Sequence, residues 1–343
     1  MTFGFAGNSA PTLFYKKENI MLSTLWFPVC YGLVLFLFGM KVMEVALQRW
    51  AGPLLHKWLH KATSTPLKGM IASTAVTALL QSSTAVTVLA IGFANAGLLS
   101  LSGTLGVILG TNIGTTVTTE LISLQIGQAA MPLLVLSLML WVGAVLVSER
   151  VPASHDKLKN QLIRSQFLCL AVAGFSLVLL AIQIMQSIGP TLQSLGLFQW
   201  FLDHASQSVL WGIAAGAILT ALMHSSAAVI AMAMGLAASG ALPPEIGVAI
   251  VLGSNVGTCV TALIAAIGSS RAGRFVAWSH LGLNIGGVLL FIPFTAGLTA
   301  VSGWLAADPA GQIAHAQTLF NIVCSLIALP LCYLPFWNKR LQS

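Results

Sequence analysis

Two stretches decide the fold: TALLQSSTAVTVLAIGFANAGLL, from Thr77 to Leu99, and TALMHSSAAVIAMAMGLAASGAL, from Thr220 to Leu242. They stand 220 − 77 = 143 positions apart. The same shift lays LGTNIGTTVT, from Leu109, over LGSNVGTCVT, from Leu252, with no gap between the blocks. Low-complexity coincidence does not hold register over such a distance, so the chain contains an internal repeat. The shift also carries an apolar run beginning near Leu25 onto one near Gln166, and another near Ala130 onto one near Gly273. The 343 residues thus divide into a polar N-terminal segment (1–24), a first unit (25–150), a central cytoplasmic loop (151–165), a second unit (166–296) and a final helix outside the repeat (313–337).

Of these residues, 57% are hydrophobic and 7% charged, where soluble domains carry about 25% charged residues. A water-soluble surface cannot be built from so few charges. Runs such as Leu25–Leu47, Pro132–Val147, Phe167–Ile188 and Phe275–Thr295 hold almost no ionisable side chain and approach or exceed the roughly 20 residues that cross a bilayer as a helix. The chain is therefore expected to be an all-α integral membrane protein. Cys30, Cys169, Cys259, Cys324 and Cys332 stand singly in apolar stretches, which suits small apolar residues and neither a disulfide framework nor a transition-metal site. The first twenty residues are polar, and no small-residue cleavage site follows Met21. The helix near Leu25 is expected to be retained rather than removed as a signal peptide, with Met21 an alternative start.

The net charge of +7 comes from Lys and Arg in short segments between spans, which marks topology and argues against nucleic acid as a partner. Arg49, Lys57, Lys61 and Lys68 are assigned to one cytoplasmic loop, Arg150, Lys157, Lys159 and Arg164 to the central one, Arg271 and Arg274 to a third, and Lys339 and Arg340 to a cytoplasmic C-terminus. The segments Gly189–Gln207 and Gly297–Gln312 carry Asp203 and Asp308 with no Lys or Arg and are placed outside. Lys16 and Lys17 on the outer side fit this scheme poorly. Because Lys57 maps onto Trp200, in a segment without basic residues, the two units are expected to face opposite ways. That requires an odd number of crossings from four apolar stretches per unit. One stretch in each, Gly69–Asn95 and Gly212–Ser239, must then enter and return, turning near the midplane at Gln81-Ser82-Ser83 and His224-Ser225-Ser226. Inverted repeats with broken helices meeting at the midplane are the architecture of secondary transporters. No phosphate-cradling P-loop is present, so an ATP-driven pump within this chain is excluded.

Polar side chains at membrane depth are costly unless they face a partner or a cavity. Each half supplies two clusters: Gln81, Ser82, Ser83 and Thr84 with Thr111, Asn112, Thr115 and Thr116, then His224, Ser225 and Ser226 with Ser254, Asn255, Thr258 and Cys259. Gly110, Gly114, Gly253 and Gly257 flank the second cluster of each half and are expected to let the helix open, freeing backbone N–H and C=O groups. Free N–H groups at a helix start, with hydroxyls, hold an oxyanion. Carbonyl, amide and hydroxyl oxygens suit a small cation. The competing explanation, close helix packing by small residues, accounts less well for clusters that recur at one shift. Lys41 and Glu44 are taken as a snorkelling pair, and Glu120, whose counterpart is Leu263, as a cap or gate outside the symmetric site. His280, Asn284, His315 and Asn321 are assigned to helix contacts. An intramembrane hydrolase is disfavoured, since no GxSxG elbow accompanies the serine doublets.

At these doublets the sequence resembles the type II sodium/phosphate cotransporter family, which carries a QSSS-type motif followed by a TNIGTT-type motif in each of two inverted repeats. The matches are QSST (Gln81–Thr84), TNIGTT (Thr111–Thr116), HSSA (His224–Ala227) and SNVGTC (Ser254–Cys259), and RFVAWSHLGLN from Arg274 and AHAQTLFN from Ala314 look like further helices of that family. The resemblance covers residues 25–337. It implies that Ser82, Ser83, Ser225, Ser226, Thr111, Asn112 and Asn255 contact phosphate, and that Gln81, Thr84, Thr115, Thr116, His224, Ser254 and Thr258 contact sodium. It implies a sodium-coupled symporter of inorganic phosphate in the bacterial inner membrane, with sodium as coupling ion, no cofactor, and a dimer as one possible assembly. No phosphate-regulatory domain is expected after the last helix. An exporter, a carrier of another small anion and a non-transporting membrane interaction protein stand as alternatives. His224, Ala227 and Cys259 depart from the pattern, which leaves the cation and its stoichiometry open. Since imidazole changes charge in the physiological range, His224 predicts a pH-sensitive sodium dependence, against a purely structural role for the same residue.

Overall fold

The computed structural model of the chain describes residues 25–339 apart from 63–64, 125 and 153–154, with the side chains of 52–62 and 338–339 also left aside. The expectations for residues 1–24, with Lys16, Lys17 and Met21, and for Arg340 lie outside the described residues. The described regular structure is helical throughout. In the first half it comprises α1 (Phe27–Ala62), α2 (Pro66–Leu80), α3 (Ser83–Asn95), α4 (Leu101–Ser123) and α5 (Ala130–Arg150). The second half holds α6 (Asp156–Ser187), the short α7 (Gly189–Gln193), α8 (Gly196–Gln207), α9 (Val209–Met223), α10 (Ser226–Ala238), α11 (Pro244–Gly257), α12 (Cys259–Ala265) and α13 (Arg271–Phe291). It is followed by α14 (Thr295–Leu305), α15 (Pro309–Ala328) and α16 (Phe336–Lys339).

Local chemistry explains where these helices begin. Thr65 caps α2, accepting from the Lys68 N–H at 3.3 Å, with Pro66 at the first helical position, where its missing N–H is no loss. Ser100 and Ser270 cap α4 and α13 in the same way, and Asp308 caps α15. Among the described residues, seven segments are long and apolar enough to cross a membrane, whereas α2, α3, α9 and α10 are apolar but shorter.

The repeat appears in the element bounds. Adding 143 to the bounds of α2 and α3 gives those of α9 and α10. It also appears in the packing. A Cβ on Gly110 would lie 2.1 Å from the Met70 carbonyl oxygen, and one on Gly253 would lie 1.9 Å from that of Ile213, the residue equivalent to Met70. Likewise Gly114 meets Thr77 and Gly257 meets Thr220, at 2.6 and 2.7 Å. These contacts correct one expectation. In the first half the glycines do not open their helix, since α4 runs unbroken through Gly110 and Gly114, whereas in the second half the helix is interrupted directly after Gly257, at the single turn residue Thr258 that separates α11 from α12. The glycines admit the backbone of α2 or α9 where a side chain would keep it away.

The basic segments are corrected too. Arg49, Lys57 and Lys61 belong to α1, Lys68 to α2, Lys157, Lys159 and Arg164 to α6, and Arg271 and Arg274 to α13, so most of 151–165 is helix rather than loop. Likewise 189–207 is almost wholly α7 and α8. The long α1 and α6 cross where Gly39 and Gly174 face each other, a Cβ on either meeting the other's carbonyl oxygen within 2.7 Å. The largest apolar clusters join Phe36, Val178 and Met185 to Ile230, Met234 and Ile313, and Val76, Leu80 and Val86 to Ile108 and Val276. Between them, the tips of the two short-helix pairs are brought together.

Candidate functional site

Both tips share one construction. Gln81 ends α2 at φ 53°, ψ 30°, and His224 ends α9 at φ 53°, ψ 26°. They are the only non-glycine residues with positive φ among the described residues. A left-handed residue carrying a side chain costs about 1–2 kcal/mol, so surrounding contacts must hold it. For Gln81 they are visible: Nε2 donates to the Ala78 carbonyl at 2.6 Å and Oε1 accepts from Thr118 at 2.8 Å. The ring of His224 makes no hydrogen bond among the described residues, and it is exposed.

After each left-handed residue comes an extended serine that caps the next helix. Ser82 Oγ accepts from Ala85 N–H at 3.3 Å, and Ser225 Oγ from Ala228 N–H at 3.2 Å. The second serine of each doublet, Ser83 or Ser226, is the first helical residue, and its hydroxyl has no partner among the described residues. The starts of α3 and α10 face one cavity of about 310 Å³, lined by Gln81, Ser82, Ser83 and Thr84 from one tip and by Met223, His224, Ser225, Ser226 and Ala227 from the other. The first N–H groups of a helix have no intrahelical acceptor and sit at its positive end. Two such ends with free hydroxyls make a receptor for an oxyanion.

Thr115 and Thr258 also reach this cavity. The remaining candidates stand apart from its lining. Thr111 is fully buried and bonds the Ile108 carbonyl, Thr116 bonds that of Ile113, and Ser254 is fully buried. Asn255 Nδ2 donates to the Val251 carbonyl, and Asn112 Nδ2 to Asn284 Oδ1 at 3.0 Å. Asn284 in turn donates to Cys259 Sγ at 3.2 Å. The chain Asn112–Asn284–Cys259 thus ties the second motif of each half to α13, and Cys259 supplies an acceptor at the place of the family's last Thr.

The cavity also takes residues absent from the motifs: Thr118, Leu37, Met40, Lys41 and Glu44. Glu44 is not merely a snorkelling partner. It pairs with Lys41 at 3.0 Å and also accepts from Ser82 Oγ at 2.7 Å and from Gln48 Nε2 at 3.0 Å. Glu120, by contrast, is engaged with His315 and Thr318 of α15. Among the described residues, buried hydroxyls without a partner recur at Thr77 and Thr220, one turn before each left-handed residue and beside the carbonyl ends of α2 and α9. Such a set of uncharged oxygens suits a small cation.

The family model described as Na+/Pi-cotransporter matches residues 35–187 and 191–322, one stretch for each half. The uncharacterized protein YqeW of Bacillus subtilis is 34% identical over 299 residues, which cover 87% of this chain and 92% of that protein. The putative inorganic phosphate export protein YjbB of Escherichia coli is 25% identical over 87% of this chain but only 52% of its own length. The sodium-dependent phosphate transport protein 2A of Rattus norvegicus is 30% identical over 118 residues, 34% of this chain and 18% of that one. No solved structure matches. With both halves matched, and both serine-capped tips inside the matched stretches, the chain belongs to the Na+/Pi-cotransporter family.

Proposed function

We propose that this protein is a secondary transporter that moves inorganic phosphate together with sodium across a bacterial inner membrane, exposing one central site alternately to the two sides. One observation carries the proposal: two helix starts, each opened by a Ser-Ser doublet behind a left-handed residue, face one cavity lined with hydroxyls. Ser83, Ser225 and Ser226 hold the anion in this scheme, while Ser82, whose single hydroxyl hydrogen goes to Glu44, stands beside it. The carbonyl ends of α2 and α9, with Thr77, Thr220 and Gln81, hold sodium. Thr111, Asn112, Thr116, Ser254 and Asn255 support the site from behind.

Helix length supports re-entrant tips. The 15 residues of α2 and the 13 of α3 span about 22 and 20 Å at 1.5 Å per residue, short of a hydrocarbon core of roughly 30 Å. In this reading each pair dips in and returns, and the halves lie inverted. Single cysteines at Lys57, Lys159 and Arg271, in a background without the native cysteines, are expected to react only from the cytoplasmic side, and one at Trp200 only from outside. Labelling of Lys57 and Trp200 from the same face would exclude the inversion.

Transport is tested with labelled phosphate in proteoliposomes, imposing sodium, potassium and proton gradients one at a time. Flux driven at least tenfold better by sodium than by potassium is expected. Flux indifferent to sodium would overturn the coupling, and no flux under any gradient would overturn transport. The name of the Escherichia coli relative favours export; loading phosphate inside the vesicles measures that direction with the same protein.

A further inference from the structure

Glu44 is out of place in a receptor for an anion. It comes from α1, and its equivalent at the 143 shift is Ser187, so it belongs to no repeated motif. Yet it lines the cavity beside the first helix start, 2.7 Å from the hydroxyl of Ser82. An ionised carboxylate offers about four lone-pair sites and no donor. Three are occupied, by Lys41 on Oε2 and by Ser82 and Gln48 on Oε1. These bonds fix the group in place and leave one acceptor site. An oxyanion seated at the start of α3 lies next to that carboxylate, and two negative groups at such range repel strongly. The repulsion is relieved when a proton stands between them.

We infer that Glu44 reads the proton on the transported anion: its carboxylate accepts the P–OH hydrogen of phosphate and so excludes tetrahedral oxyanions that carry none. The inference rests on the transport reading above. Phosphate keeps at least one proton through the physiological range, whereas sulfate, of similar size and shape, keeps none. The surrounding hydroxyls and N–H groups donate equally well to either anion. Discrimination therefore falls to the acceptor, where the wrong ligand leaves a charge unpaired rather than merely forgoing a bond. Lys41, two-thirds exposed, offsets part of the negative charge without removing the requirement.

The test is competition against labelled phosphate uptake by the full chain in proteoliposomes, using sulfate and monofluorophosphate. The latter keeps the tetrahedral shape and double charge of hydrogen phosphate but has fluorine in place of the hydroxyl. Both should compete at least a hundredfold more weakly than unlabelled phosphate. In Glu44→Gln, phosphate uptake should weaken while sulfate competes better, so that the preference falls tenfold or more, and Glu44→Asp should retain part of it. Monofluorophosphate competing with the wild type as well as phosphate does would overturn the inference, with no variant needed and transport left standing. An unchanged preference in a folded Glu44→Gln would do the same. Failure of the wild type to take up phosphate at all would overturn the transport reading, and this one with it.

Discussion

Gly253→Ala is expected to yield almost no folded protein. A Cβ at this position would stand 1.9 Å from the carbonyl oxygen of Ile213, 2.7 Å from its carbonyl carbon and 2.9 Å from the Ala217 nitrogen. All three are main-chain atoms of α9, so no side chain can swing away. Overpacking costs about 1–3 kcal/mol where neighbouring side chains can yield. Here α9 and α11 must part by more than 1 Å along their contact, against a total stability of only about 5–15 kcal/mol. Expression of monodisperse protein in detergent should fall at least tenfold, and Gly110→Ala should behave alike, since its Cβ would meet Met70 in the equivalent way. Gly92→Ala and Gly143→Ala are the controls. Nothing lies within 4 Å of a Cβ at either site, and alanine favours a helix over glycine by up to about 1 kcal/mol. Recovery of Gly253→Ala in normal yield, with a thermal midpoint near that of the wild type, would refute the backbone contact.

The serine pair should behave in the opposite manner, with normal folding and little transport. Ser83 and Ser226 line the cavity and spend their hydroxyls on no partner among the described residues. Removing either leaves the protein's own hydrogen bonds unchanged but strips a donor from the bound anion, which the protein cannot replace with water at no cost. Ser83→Ala or Ser226→Ala should each weaken phosphate uptake at least tenfold, about 1.4 kcal/mol. The double variant should lose about a hundredfold if the two add. Ser82 and Ser225 are poorer probes, because their oxygens also cap helices and their loss mixes stability with binding. Normal uptake by the Ser83→Ala, Ser226→Ala double variant would assign these serines to packing.

The tips were legible in the sequence because a doublet recurring at one shift marks a repeated structural element, and the family was legible through the same residues. The second motifs were read less well, for a physical reason. Glycine in a membrane helix serves either to break it or to let another backbone approach, and composition does not separate the two. Once α4 is continuous, its 3.6-residue period sorts the polar residues by itself. Thr115 and Thr118 then fall on one stripe, toward the cavity, and Asn112, Thr116 and Thr119 on another. Of that second stripe, Asn112 reaches Asn284 of α13 and Thr119 reaches Gln317 of α15. Treating Gly110 and Gly114 as a break hid this pattern. Glu44 was hidden differently: it has no repeated partner, and a lysine one turn away gave it a sufficient surface explanation. Only the approach of α1 to the tip of α2 reveals its other neighbour.

The glycine contacts also limit how the molecule can move. Where two main chains touch with no side chain between them, sliding by even a fraction of a turn brings a Cβ-bearing neighbour into collision, so α2 with α4, and α9 with α11, behave as single struts. The alternating access proposed above would therefore have to carry each strut whole, with its serine-capped tip.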